Sequence, residues 1–452
     1  MMKYKLSIRM NAKLIAGLMA ISAVALLSYL IVNMKYNVPL YEVLGWIWAI
    51  AIIIIMLNQA DHIQAGGSVK RILYVRIVIG VVLAILMTIR FNSGIFDSDE
   101  GSLLTGSIGY FRQLFTGEDF FEPYSDANPV FKSALMNLFS FVGINSICIR
   151  IIYLYLWFLG YKLIEKVAFD VRNKEYKILT AFYAFMPWEI LINSKVLREP
   201  MICMSLMLSL YFLWKWMKTA WFRYIVIAAI MPIFAIALHG GNIAMLGVIF
   251  ATYTFWDCKR QRWRVPHFSW RLVPVIAILI VLPFSLQIVH ALNIDRFSSI
   301  NGISDLMRIQ QDAIVYNGDA STFYAREFDL SSPIGIVLML LYRSVYFWIS
   351  PSPMFWTSPT HAIAFLADSC VWIAYFIYMI RNVFIKKTNK AGGLFIPIVL
   401  FFTLIYGVGT HTGGTAMRHR GQLLGLLVMC AVMNMKEDKY GNKEYAAIQH
   451  NI

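Results

Sequence analysis

Apolar runs long enough to cross a bilayer recur along the whole chain, near 14–33, 40–57, 72–89, 147–163, 178–195, 200–217, 224–239, 242–256, 272–289, 360–380, 393–410 and 421–435. A hydrocarbon layer about 30 Å thick takes roughly 20 apolar residues as a helix, because only a helix satisfies its own backbone there. The pattern predicts an all-α, polytopic transmembrane protein of about twelve spans. Its segments group as 1–71 with two N-terminal spans, 72–256 as a first membrane module, and 257–452 as the C-terminal spans. One run resists. Residues 334–350, "IGIVLMLLYRSVYFWIS", are apolar enough to span but carry Arg343. Counting them as a crossing would put Lys386 and Lys387 outside, so an interfacial or re-entrant segment is expected.

Basic residues orient this threading. With the N-terminus "MMKYKLSIRMNAK" inside, the inner segments contain Lys70 and Arg71, then Lys166, Arg172, Lys174 and Lys177, then Lys215, Lys218 and Arg223, then "KRQRWR" at 259–264, then Lys386, Lys387 and Lys390. Lys and Arg hold short loops on the cytoplasmic side. No small-residue cleavage site follows the first apolar run, so it is expected to remain as a helix. The outer side receives two long segments, 90–130 and 290–358, and short turns that include 194–199 and 411–420.

Composition agrees. Of 452 residues, 59% are hydrophobic and 14% charged, with a net charge of +15. A soluble chain carries roughly 25% charged residues, so this apolar surface needs lipid to cover it. The positive charge is accounted for by the inner loops, which removes the argument for nucleic acid as a partner. Cys148, Cys203, Cys258, Cys370 and Cys430 lie in or beside apolar runs without metal spacing and are expected to be buried thiols.

Candidate chemistry gathers on the outer side. After the third run come Asp97, Asp99 and Glu100, then "SLLTGSIGYFRQLF" and "VFKSALMNLFSFVG" with apolar residues at helical spacing. These predict two amphipathic helices lying on the membrane. A carboxylate fixed at that depth either deprotonates an incoming hydroxyl or holds a divalent cation against a phosphate. In "NSKVLREP", Arg198 and Glu199 sit between two spans, either as a local ion pair or as a substrate contact. In "GTHTGGTAMRHRGQ", His411, Arg418, His419 and Arg420 crowd an outer turn, where cations run against the topology and suit an anion such as phosphate. Arg296, Arg326 and Arg343 in the second long segment join the substrate-contact candidates, and His239 in "LHGGN" reads as a packed histidine.

The order of a span, an outer "DE" pair, two amphipathic stretches, and then "MPWEILINSKVLREPMICMSLMLSLYFL" resembles the GT-C superfamily of integral membrane glycosyltransferases, in particular its bacterial family-39-like members. The closing "RHRGQLLGLLVMCAVM" resembles the last helix of bacterial sugar transferases and polysaccharide polymerases. The resemblance implies a GT-C-like module over 72–256 in the cytoplasmic (inner) membrane, with an active face turned to the periplasm or exterior. It implies a polyprenyl-phosphate-linked saccharide as donor, Asp99 as the catalytic acid or base with Asp97 and Glu100 competing, and Arg418 and Arg420 on the donor phosphate. A Wzy-type polymerase using an undecaprenyl-diphosphate oligosaccharide is the second reading. A lipid-linked sugar flippase is the third, disfavoured because charge within the spans looks rare, Arg76 being the clearest case.

Overall fold

The computed structural model describes residues 19–20, 38–92, 94, 100–108, 129–143, 145–171, 176–264, 322–324, 328, 332–381 and 393–433. These are about 86% helical, and five helices are long and apolar enough to cross a membrane. The span expected at 14–33, apart from residues 19–20, and the span at 272–289 lie outside the described residues, as do Asp97, Asp99, Arg296 and Arg326. The chain divides into two compact units: Met1–Asp170 with Lys174–Met204, and Val171–Asn173 with Ser205–Ile452.

In the first unit, α1 (Val38–Asp61) and α2 (Gly67–Asn92) pack on a long helix that follows later. Their exposed faces are apolar. Val75, Val78, Val82, Ile85 and Ile89 form one stripe of α2, while its inward face carries Leu73, Arg76, Ile77, Gly80, Ala84 and Thr88. This arrangement, with apolar residues outward and small or polar ones inward, belongs to a helix whose solvent is lipid. Residues 100–108 form α3, and α4 (Pro129–Val142) is the expected second amphipathic helix, burying Phe131, Leu135 and Phe139 at helical spacing. Helix α5 (Ser146–Asp170) is the unit's spine, with seventeen of its residues buried. It comes so close to α2 that a Cβ on Gly80 would lie 2.5 Å from the Leu154 side chain.

The run expected as one span at 178–195 is two helices, α6 (Tyr176–Phe185) and α7 (Pro187–Asn193). Pro187 has no amide hydrogen to continue α6, and its fixed φ suits the first position of a new helix. Helix α8 (Glu199–Thr219) follows the turn at 194–198.

The second unit takes α8 from Ser205 onward, with α9 (Phe222–Leu238), a 3₁₀ turn at Gly240–Ile243, and α10 (Ala244–Phe255). Ser209 Oγ donates to Ala228 O at 2.6 Å and so ties α8 to α9. A two-residue antiparallel pair, β1 (Trp256–Asp257) with β2 (Arg262–Trp263), caps α10. After the described chain resumes come α11 (Pro333–Ile349), α12 (Pro359–Ile380, with a π turn at Phe365–Ser369), α13 (Phe395–Gly409) and α14 (Gly413–Met433).

Helix α11 is continuous from Pro333 to Ile349 and packs along α13, with Ile334, Val337, Leu338, Leu341 and Val345 exposed on one stripe and Arg343 buried on the other side. One sequence expectation changes here: 411–420 is not a turn throughout. The turn is short, helix α14 already begins at Gly413, and it is buried around its circumference from His419 to Met433. Glycines, Arg and His made that stretch look like a loop; partners distant in sequence make it a helix.

Candidate functional site

In the first unit the polar groups converge where α2 ends. Arg150 is the lone cation in the first half of α5 and is 1% exposed. Its Nη1 lies 2.7 Å from Glu100 Oε1 and also donates to Ser194 O, while Nη2 reaches Met87 O at 3.4 Å. The same Glu100 oxygen accepts from Val196 N at 2.8 Å. A buried guanidinium and carboxylate are tolerable only when each finds several partners, and here each does. The result is a latch: the start of α3, the first turns of α5 and the turn at 194–198 meet on one carboxylate. Alongside, Ser146 Oγ lies 3.4 Å from Thr88 Oγ1. The buried Tyr153 hydroxyl lies in the field of Glu199, Arg150 and Glu100.

This geometry sorts the expected acids. Glu100 is 4% exposed and committed to Arg150 and Val196, so it holds structure and is not an available base. Asp99, next to it in the chain, and Asp97 inherit that role as candidates. Glu199, 2% exposed, opens α8, where a carboxylate at a helix N-terminus is favoured by the dipole. Arg198 is part-exposed, two residues beyond the Val196 amide that Glu100 binds.

Deeper in the unit, Arg76 is 1% exposed, with its guanidinium 4.9 Å from the Trp157 ring centroid and Glu189 as its facing acid. Asn193 Nδ2 holds Glu189 Oε1 at 3.1 Å. Arg76 and Arg150, both inside candidate membrane spans, are thus buried beside polar or charged partners. Arg150 was legible as a single cation inside "SICIRIIYLYL", a position that is functional or structural by default.

The second unit reassigns the expected phosphate contacts. Arg420 is fully buried and paired with Asp368 of α12; it also donates to Phe347 O at 2.6 Å and to Ser350 O, with Ser369 Oγ at 3.5 Å. A guanidinium so occupied closes the end of α11 onto α12 and α14 and cannot also clamp a phosphate. Arg343 has a similar fate: 1% exposed, it donates to Val408 O at 2.9 Å and holds the end of α13. His419 has Nδ1 3.0 Å from Thr410 Oγ1 and packs against His239 and Tyr406, its ring centroid 4.6 Å from each. Tyr406 Oη lies 2.8 Å from Asn242 Oδ1 and 2.6 Å from the Gln422 carboxamide, so "LHGGN" and "RHRGQ" join in one buried polar cluster. His239, expected from the sequence as a packed histidine, packs on Tyr406 and His419. Gly241 is required there, because a Cβ would meet the Tyr406 ring at 2.8 Å.

His411 sits in the turn before α14, largely buried, with its Nε2 unpartnered. Burial, with the Arg343 charge nearby, pushes its pKa down to about 4. Tyr324 beside it donates its hydroxyl to Thr410 O at 3.1 Å, and burial pushes its phenol well above the ordinary range. Arg418 is half-buried in the first turns of α14.

Among the described residues no three His, Cys, Asp or Glu come together as metal ligands. No protein-family model matches the chain, and no curated protein or solved structure is similar to it.

Proposed function

We propose that the chain is a glycosyltransferase of the cytoplasmic membrane, working on its outer face with a polyprenyl-phosphate-linked sugar as donor. The observation that carries this reading is the Glu100 latch, which ties Glu100, the residue that follows Asp99 in the sequence, to the turn bearing Arg198. A buried ion pair spent on holding a short polar stretch at the end of a membrane helix makes sense when a neighbouring group must be positioned to within a fraction of an ångström.

The chemistry follows from that placement. An acceptor hydroxyl gives its proton to the Asp99 carboxylate, or to Asp97, and its oxygen bonds to the anomeric carbon of the donor sugar. The bond from that carbon to the phosphate oxygen breaks, and its electron pair leaves with the polyprenyl phosphate. Arg198 is assigned to the departing phosphate, in place of Arg420, whose donors are spent within the fold. General-base help of this type contributes about 10²–10⁴-fold.

A Wzy-type polymerase would use the same acid and cation on a diphosphate-linked oligosaccharide. Purified protein in liposomes with a radiolabelled polyprenyl-phosphate monosaccharide distinguishes them. Transfer of label to a sugar acceptor, lost in Asp99→Asn and Arg198→Gln but not in a conservative change elsewhere, supports the proposal. Inertness toward monophosphate donors, with chain growth from diphosphate-linked oligosaccharides, transfers the assignment to the polymerase. Movement of label across the bilayer without transfer would favour the flippase, a reading that the buried charges of α2 and α5 keep open.

A further inference from the structure

At the C-terminal end of α8, the second unit carries a surface that the proposed reaction does not use. Between residues 205 and 264 stand seven Lys and Arg against one acid, Asp257. That acid is already engaged: its Oδ1 accepts from Lys259 N at 3.0 Å and Arg260 N at 3.2 Å, and its Oδ2 lies 4.0 Å from Arg264. Lys218, Arg223, Lys259, Arg260 and Arg262 are exposed.

These cations are held in place. The β1–β2 hairpin is pinned to the last turn of α8: Trp256 Nε1 donates to Met217 O at 3.2 Å, and Gln261 Nε2 donates to Met217 O at 2.6 Å and Cys258 O at 2.7 Å. The Met217 carbonyl in the last turn of the helix is thereby satisfied, and the hairpin bearing Lys259, Arg260 and Arg262 becomes a fixed extension of α8. Between α8 and α9, Arg223 lies over the Trp221 ring at 4.2 Å and Lys218 over the Trp214 ring at 4.6 Å. In the same turn Trp221 is 55% exposed and Phe222 72%.

We infer that the α8–α9 turn and the β1–β2 hairpin together form a binding surface for anionic phospholipid headgroups. Exposed indole and phenyl rings level with ordered cations suit the boundary between headgroups and acyl chains, where rings enter the apolar edge and cations meet phosphate. An acidic protein partner would need the charge but not the large exposed rings. Charge that only sets topology would need neither the cation–π contacts nor the hairpin's anchors. The inference stands apart from whatever reaction the outer face performs.

The test is the thermal unfolding of the full chain in mixed micelles, with added phosphatidylglycerol, phosphatidylcholine or inorganic pyrophosphate. Phosphatidylglycerol is expected to raise the unfolding temperature of the wild type, and the other two are not. The variant K259Q/R260Q/R262Q should lose most of that gain, while K386Q/K387Q/K390Q, with the same charge removed elsewhere, keeps it. Equal gains in wild type and hairpin variant overturn the proposal. So does an equal loss in the control variant, which would mean that net charge alone matters. An equal gain from pyrophosphate would mean a soluble-anion site and overturns it too. Should the hairpin variant be unstable in phosphatidylcholine alone, Arg223→Gln decides, and retention of the whole gain there refutes the surface.

Discussion

Removing the Glu100 side chain tests the latch and sets its scale. Glu100 Oε1 lies 2.7 Å from Arg150 Nη1, which at an effective dielectric of about 20 is roughly 6 kcal/mol of gross attraction before desolvation is subtracted. Glu100→Ala leaves a guanidinium that is 1% exposed with only the carbonyls of Ser194 and Met87, and leaves Val196 N without its acceptor. A buried pair broken from one side costs about 3–5 kcal/mol. Glu100→Gln keeps an acceptor for Val196 and loses the charge, so about 1.5–3 kcal/mol is expected, the worth of a hydrogen bond to a charged group. Arg150→Met alone strands the carboxylate at a cost similar to that of Glu100→Ala. The double variant Glu100→Ala with Arg150→Met removes both charges and should be less destabilised than the sum of the singles by about 2–3 kcal/mol. Equilibrium unfolding by SDS titration in mixed micelles, on the wild type and these variants, reads this coupling directly. Additivity within about 0.5 kcal/mol would refute the latch.

Other consequences follow from the same contacts. Arg420→Lys keeps a positive charge but cannot fill the fork to Phe347 O, Ser350 O and Asp368, so it should destabilise by about 3 kcal/mol and lower membrane abundance; full stability of that variant would contradict a structural role. Gly247→Ala places a Cβ 2.7 Å from the Phe401 ring, where α10 meets α13, and should cost about 1–3 kcal/mol by the same titration, with Phe401→Leu restoring part of it. His411, held neutral with its pKa near 4 against an ordinary 6.5, takes up a proton on unfolding anywhere between those values. Its contribution is therefore present above pH 6.5 and is lost as pH falls toward 4. His411→Asn should flatten stability in that window relative to wild type and leave pH 7–8 unchanged; parallel profiles would refute it.

How far the sequence carried can be seen residue by residue. Lipid demands long uniform apolar runs, so α1, α2, α5, α8 and α12 stand within a few residues of where periodicity placed them. Amphipathic α4 was legible for the same reason, since its buried Phe131, Leu135 and Phe139 repeat every four residues. The break at Pro187 was written in the chain but was overridden by the surrounding hydrophobicity. Helix α14 was misjudged because its first residues are Gly, Arg and His, and the partner that lets Arg420 be buried is Asp368, 52 positions away. Glu100 shows the same limit. Among three neighbouring carboxylates the sequence cannot tell which one is spent on structure, because Arg150 and Val196 become its neighbours only on folding. Pairings at that range are what a one-dimensional pattern leaves out.

The central claim is that the acidic residues preceding Glu100 in the sequence supply a catalytic carboxylate, and Asp99→Asn beside Glu100→Gln tests it most directly. Both are made in cells whose surface glycan is resolved on a gel, with the protein quantified in the membrane fraction. The account predicts that Asp99→Asn reaches normal membrane levels, abolishes the glycan and accumulates the lipid-linked donor, while Glu100→Gln loses glycan only in proportion to lost protein. Unchanged glycan in Asp99→Asn, Asp97→Asn and the double variant would contradict it.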